Sequence, residues 1–167
     1  MGALTIPSGT LDGLLGGSAA AGGGKVLQMV STAATGTTTI SSTSFTDTGM
    51  TATITPTLAS SKILIITNAN VYCYRNSASG SMGAGFKLLR GATDLMTRDY
   101  LTYFPFTLSS GGKEWVTEVS PIYVDSPAST SSLTYKCQGR ALVTSEGGNC
   151  QFSNSGTSTM VLLEIGA

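Results

Sequence analysis

Leu133-Thr134-Tyr135-Lys136-Cys137-Gln138-Gly139-Arg140-Ala141-Leu142-Val143 alternates with a period of two. Leu133, Tyr135, Cys137, Gly139, Ala141 and Val143 share one parity, and Thr134, Lys136, Gln138 and Arg140 share the other. Successive side chains of a strand point to opposite faces, so the stretch predicts a strand with one face in a core and one in solvent. Such one-sided strands belong to antiparallel sheets.

The same pattern recurs on both sides of this stretch. Met50 to Thr55 alternates, and Val26 to Val30 is short and apolar. Ile63 to Ile66 is apolar on both parities and Thr67 to Tyr72 on one, which predicts a strand that begins deep and ends towards solvent. Phe86 to Leu95 predicts a hairpin turning near Gly91. Lys113 to Val124 reads as one strand, with Trp115, Val119 and Tyr123 on one parity. Thr159 to Ile165 is apolar on both parities, so both of its faces need cover. The expected fold is all-β, an antiparallel jelly-roll sandwich of about 8–10 strands. No repeat of 20–50 residues argues for a solenoid or propeller.

Composition agrees with strands and limits chemistry. Ser and Thr fill more than a quarter of the 167 positions, and the 21 glycines favour turns. Hydrophobic residues at 41% can fill a core, so the bulk of the chain is expected to be ordered. Charged residues are only 11%, nine basic and nine acidic, for zero formal net charge. Nucleic-acid binding needs clustered Lys and Arg, whereas Lys25, Lys62, Lys87, Lys113 and Lys136 are scattered, so no nucleic-acid partner is expected. No apolar run nears ~18 residues, so no membrane span is expected, and no signal peptide is indicated.

There is no histidine, which removes the usual general base. Ala21 to Val26 has the Gly-Lys of a phosphate loop but lacks its spacing and its Ser or Thr. Gly80-Ser81-Met82-Gly83-Ala84-Gly85 is no dinucleotide fingerprint and reads as a flexible loop. Glu114 and Glu118 on one strand would stand ~13 Å apart, too far for an inverting glycosidase pair. Asp94 and Asp99 with Arg90 and Arg98 read as surface pairs around the hairpin. Cys73, Cys137 and Cys150 lack metal-site spacing; they read as reduced thiols, with a Cys137–Cys150 bridge as the alternative. The expectation is a non-enzyme with no catalytic residue, cofactor or metal.

Three groups of residues are candidates for contacts. Residues 1–24 are too apolar for a linker and too glycine-rich for a core. They suggest an attachment arm, with Leu4, Ile6, Leu11, Leu14 and Leu15 docking on a neighbour; a frayed tail is the alternative. Met160, Leu162 and Leu163 on the last strand are candidates for a trimer axis. Tyr100-Leu101-Thr102-Tyr103-Phe104-Pro105-Phe106 reads as an apolar loop, with Tyr100, Tyr103, Phe104 and Phe106 as a receptor- or glycan-binding platform or a packed subunit contact.

Lys25 to Thr32, Ser60 to Ile65, Leu89-Arg90-Gly91, Asp125 to Ser129 with Thr134-Tyr135-Lys136, and Met160 to Ile165 together resemble small virion proteins of tailed bacteriophages, especially those of aquatic hosts. The resemblance covers residues 25–167 and rests on strand and turn signatures. It implies a trimeric jelly roll of the tumour-necrosis-factor/C1q shape, found as capsid decoration proteins, head fibres and tail-fibre tips. It carries over no catalytic residue. A short chain opening on Met1 without a fibrous shaft fits a decoration (cement) protein best, a homotrimer on the major capsid protein within the virion. The alternative is a fibre tip mounted on a tail or vertex protein.

Overall fold

The computed structural model describes residues 24–108, 110–154 and 156–166. The described residues form eleven strands: β1 (Val26–Ala34), β2 (Thr38–Ile40), β3 (Thr46–Ile54), β4 (Lys62–Arg75), β5 (Ser79–Arg90), β6 (Thr93–Thr107), β7 (Lys113–Val119), β8 (Ile122–Asp125), β9 (Leu133–Ala141), β10 (Asn149–Phe152) and β11 (Ser158–Ile165). A 3-10 turn at Ser145–Gly147 is the one helical element among the described residues. The arm reading and its five side chains fall outside the described residues, except for Gly24.

The pairing is nested. β1 pairs with β11, β2 with β10, β3 with β9, β4 with β7 and β8, and β5 with β6, always antiparallel. The chain is therefore one long hairpin, with its tip at Gly91 and Ala92, rolled into two sheets. The larger sheet runs β1-β11-β4-β10-β2, with β7 and β8 on the other side of β4; the smaller runs β3-β9-β5-β6. This is the jelly roll the patterning predicts. Gly91 sits at φ +57, a backbone region that costs glycine nothing.

β9 follows its alternation. Tyr135, Cys137, Gly139 and Ala141 are buried, while Thr134, Lys136, Gln138 and Arg140 are not; the strand ends at Ala141, before Val143. The inner faces of both sheets supply a core that includes Ile54, Ile63, Ile65, Val71, Phe86, Leu88, Tyr135, Phe152 and Leu162. Each such fully buried apolar side chain contributes ~1.5–3 kcal/mol before entropy is counted.

Four local expectations fail for physical reasons. The strand expected over Lys113–Val124 is broken at Ser120 and Pro121, because Pro121 offers no N–H and its carbonyl instead accepts from Thr67 N and Oγ1, at 3.0 and 2.8 Å. β4 does not rise into solvent: β10 and β7 extend the sheet beside its second half as β11 and β8 do beside its first, and Val71 and Cys73, on the inner face there, are fully buried in the core between the sheets. The glycine-rich stretch 80–85 is no loop but lies inside β5. A Cβ at Gly83 would run into the Thr102 carbonyl, so glycine there permits close approach of β6. The aromatic run 100–106 likewise lies inside β6.

Candidate protein–protein interface

The last strand decides which face of the larger sheet is free. Met160 and Leu162 are fully buried in the sandwich core, so the trimer-axis reading fails for both. They share a parity with Glu164, while Val161, Leu163 and Ile165 take the opposite, outer face. Of the three expected axis residues, Leu163 alone points outward.

Register places it in an aliphatic row. Met29 on β1 stands opposite Leu163, Leu163 opposite Leu64 on β4, and Leu64 opposite Val124 on β8. The next outward row is Ser31, Val161, Ile66 and Ile122. Four strands at ~4.8 Å spacing make this face about 14 Å wide. Met29 is 65% exposed, Ile122 58% and Val124 53%. Neither row contains a charge; Lys62, opposite Ile165, stands at the margin. Val26 and Leu27, exposed at the start of β1, extend the apolar surface towards the end where residues 1–24 join the fold.

Beneath that margin lies a buried carboxylate. Glu164 is fully buried and accepts from Gln28 Nε2 at 2.6 Å, Thr57 N at 2.8 Å and Thr57 Oγ1 at 2.9 Å. Burial opposes its ionisation, but these donors, Gln28 first, outweigh burial and hold its pKa down to about 2. Glu164 locks β1, the 55–58 turn and β11 together. A second polar knot joins the sheets: Asp125 accepts from Arg90 Nη1 at 2.6 Å and from the buried Tyr135 hydroxyl at 2.7 Å. Burial, then the Asp125 carboxylate, pushes the Tyr135 hydroxyl pKa up. Alternation could not announce either knot, because both acids sit at core-parity positions where apolar residues are expected.

The aromatic candidates divide. Phe106 is buried in the core. Phe104 stacks on Trp115 of β7 at 4.4 Å between centroids, closing the gap between the sheets. Tyr100 and Tyr103 are exposed and meet edge to face at 5.8 Å. Phe104 and Phe106 are thus packing residues, and only the two tyrosines offer free rings. The hairpin acids pair differently from expectation: Asp94 binds Lys87 and Asp99 binds Arg140, whereas Arg90 turns inward to Asp125. Cys73, Cys137 and Cys150 are free and buried, so no Cys137–Cys150 bridge forms. No cluster of metal-ligating side chains occurs among the described residues.

No family model and no curated protein matches this chain. Solved structures similar to it include dimeric latent PorU from Porphyromonas gingivalis, at 12% identity and TM-score 0.35 over 87% of this chain and 14% of that one. Two are virus structures. The infectious bursal disease virus Gx strain matches at 14% identity and TM-score 0.33, over 87% of this chain and 35% of that one. The Gt strain matches at 17% identity and TM-score 0.33, over 84% and 35%. The chain thus spans about a third or less of the length of these neighbours.

Proposed function

We propose that this chain is a non-enzymatic virion structural protein of the tailed-bacteriophage kind, a capsid decoration protein that assembles as a homotrimer and is held on the major capsid protein by residues 1–24. The observation that carries the reading is the uncharged aliphatic face of β1, β11, β4 and β8. A monomer rarely leaves so continuous an apolar surface in water. The occupant that fits is a second copy. The face has no charge with which to select a charged partner, and a chain of zero net charge does not repel itself. Two rows of side chains make the centre of an interface that needs about 800 Å² per partner, with the polar margin as its rim. A closed three-fold ring sets this face of each copy around one axis, with Leu163 nearest it.

Light scattering of the purified protein tests the assembly. The expected mass is three times 17.0 kDa. Ile122→Asp, at a position already exposed in the protomer, should give folded single chains that melt somewhat lower than the wild type, since subunit association stabilises the native state by mass action. A wild-type monomer at micromolar concentration sinks the trimer. Deleting residues 1–24 should leave the melt nearly unchanged and strip the protein from particles; wild-type occupancy by the truncated chain would sink the arm.

A further inference from the structure

A separate cleft of about 290 Å³ opens between the sheets, lined by Arg98, Tyr100, Leu101, Val119, Ser120 and Pro121. Two departures from regular strand geometry meet there. On β6, Ala84 faces Thr102 and Phe86 faces Arg98, so residues 99–101 stand against Gly85 alone. A regular strand would send Tyr100 and Leu101 to opposite faces; the bulge brings both, with Arg98, to one cleft. Across the opening, the break between β7 and β8 presents Ser120 and Pro121. That break is pinned by Thr67 on the Pro121 carbonyl and by Ser120 Oγ on Asn68 Oδ1 at 3.3 Å. The cleft is therefore held open before any ligand arrives.

Its chemistry is specific. Arg75, Arg90 and Arg140 each pair with a carboxylate, but Arg98 has no ion pair among the described residues. It occupies a core-parity position, opposite the buried Phe86, yet is exposed at the cleft. Two positions on, Tyr100 is 70% exposed and is propped by Tyr103. A free guanidinium offers a fork to a carboxylate. An exposed ring face attracts the C–H face of a pyranose. The Ser120 and Tyr100 hydroxyls serve sugar hydroxyls. A peptide adding as a strand to the β6 edge would need an unbroken ladder, which the bulge interrupts.

We propose that this cleft binds a carboxylated sugar, one uronic or sialic acid ring, with Arg98 on the carboxylate and Tyr100 under the ring. The site goes beyond the virion reading and does not depend on where the protein is mounted.

Saturation-transfer NMR on the full-length protein tests it, with glucuronate and N-acetylneuraminate as probes and glucose as the neutral control. At least one acidic sugar should bind with a dissociation constant on the order of millimolar. Glucose should bind roughly tenfold more weakly or not at all, since it leaves the guanidinium unpaired. Arg98→Gln should erase the preference for acid, and Tyr100→Ala should weaken every sugar. Both side chains are exposed, so an unchanged melt is expected of each variant. Absence of transfer from both acidic sugars overturns the proposal. So does acid binding that survives Arg98→Gln, or tighter capture of a short peptide through its terminal carboxylate at the same residues.

Discussion

Glu164 on the last strand accepts a 2.6 Å hydrogen bond from Gln28 on the first, 136 residues away. Its pKa lies at about 2 against an ordinary 4.5. A group whose folded pKa is lowered stabilises the fold above its unfolded pKa, and that contribution is lost as pH falls through the folded value. Stability should therefore decline from about pH 4.5 towards pH 2. Glu164→Gln should be less stable at neutral pH and show a flatter acid limb in urea melts at stepped pH. An acid limb unchanged by the substitution would remove Glu164 from the account.

Asp125 ties Tyr135 to Arg90. Tyr135→Phe removes one donor from a buried carboxylate and should cost about 1–3 kcal/mol. Asp125→Ala leaves both the guanidinium and the hydroxyl without their partner and should cost more, about 3–5 kcal/mol. Chemical denaturation of the two variants ranks them; a Tyr135→Phe loss equal to or greater than that of Asp125→Ala contradicts the assignment.

Gly139 faces the ring of Phe152, which a Cβ there would strike, with Ile40 Cδ1 only 3.1 Å away. Phe152 is fully buried and has nowhere to swing. Gly139→Ala should destabilise by about 1–3 kcal/mol through overpacking. Gly36→Ala meets nothing within 4 Å and should be neutral or slightly stabilising. Thermal melts of the pair check the contrast.

Burial raises the Cys73 thiol to about 11 and the Cys150 thiol to about 12, and pushes Cys137 up as well. The thiolate is the reactive form, so a native sample at pH 8 should react very slowly with a thiol reagent. All three cysteines should react once the protein is unfolded. A fast native phase of one equivalent would show that one of them is accessible.

The jelly roll was readable because strands with one wet face must alternate, and β9 does so without interruption up to Ala141. The hairpin tip was readable because Gly91 punctuates two apolar runs. The Tyr100–Phe106 strand was not, because the bulge at 99–101 breaks its parity and Pro105 mimics a loop signal. Pro105 is tolerated there because β6 is an edge strand that need not donate on its outer side. β5 was disguised by its glycines: Gly83 and Gly85 serve close packing, and Gly80 takes a φ of +136. β11 is apolar on both parities, so its sequence could not say which of Met160, Leu162 and Leu163 faced the core. That side is set by the sheet opposite, which no single strand encodes. The Arg98 cleft depends on a register count between β5 and β6 and left no local trace.

The nested hairpin brings Lys25 and Gly166 together at one end, where the Gly166 amide donates to the Lys25 carbonyl at 2.8 Å. β1 and β11 run antiparallel from that point. A load applied between these two ends would open the pair like a zipper, one rung at a time, rather than shear all its rungs together. A load entering through the β1 end alone and leaving through the aliphatic face would instead be shared across the ladder between β1 and β11. The same fold should thus yield at low force when its own ends are drawn apart and resist when pulled against its neighbours. A force-extension measurement in the two geometries would read that difference directly.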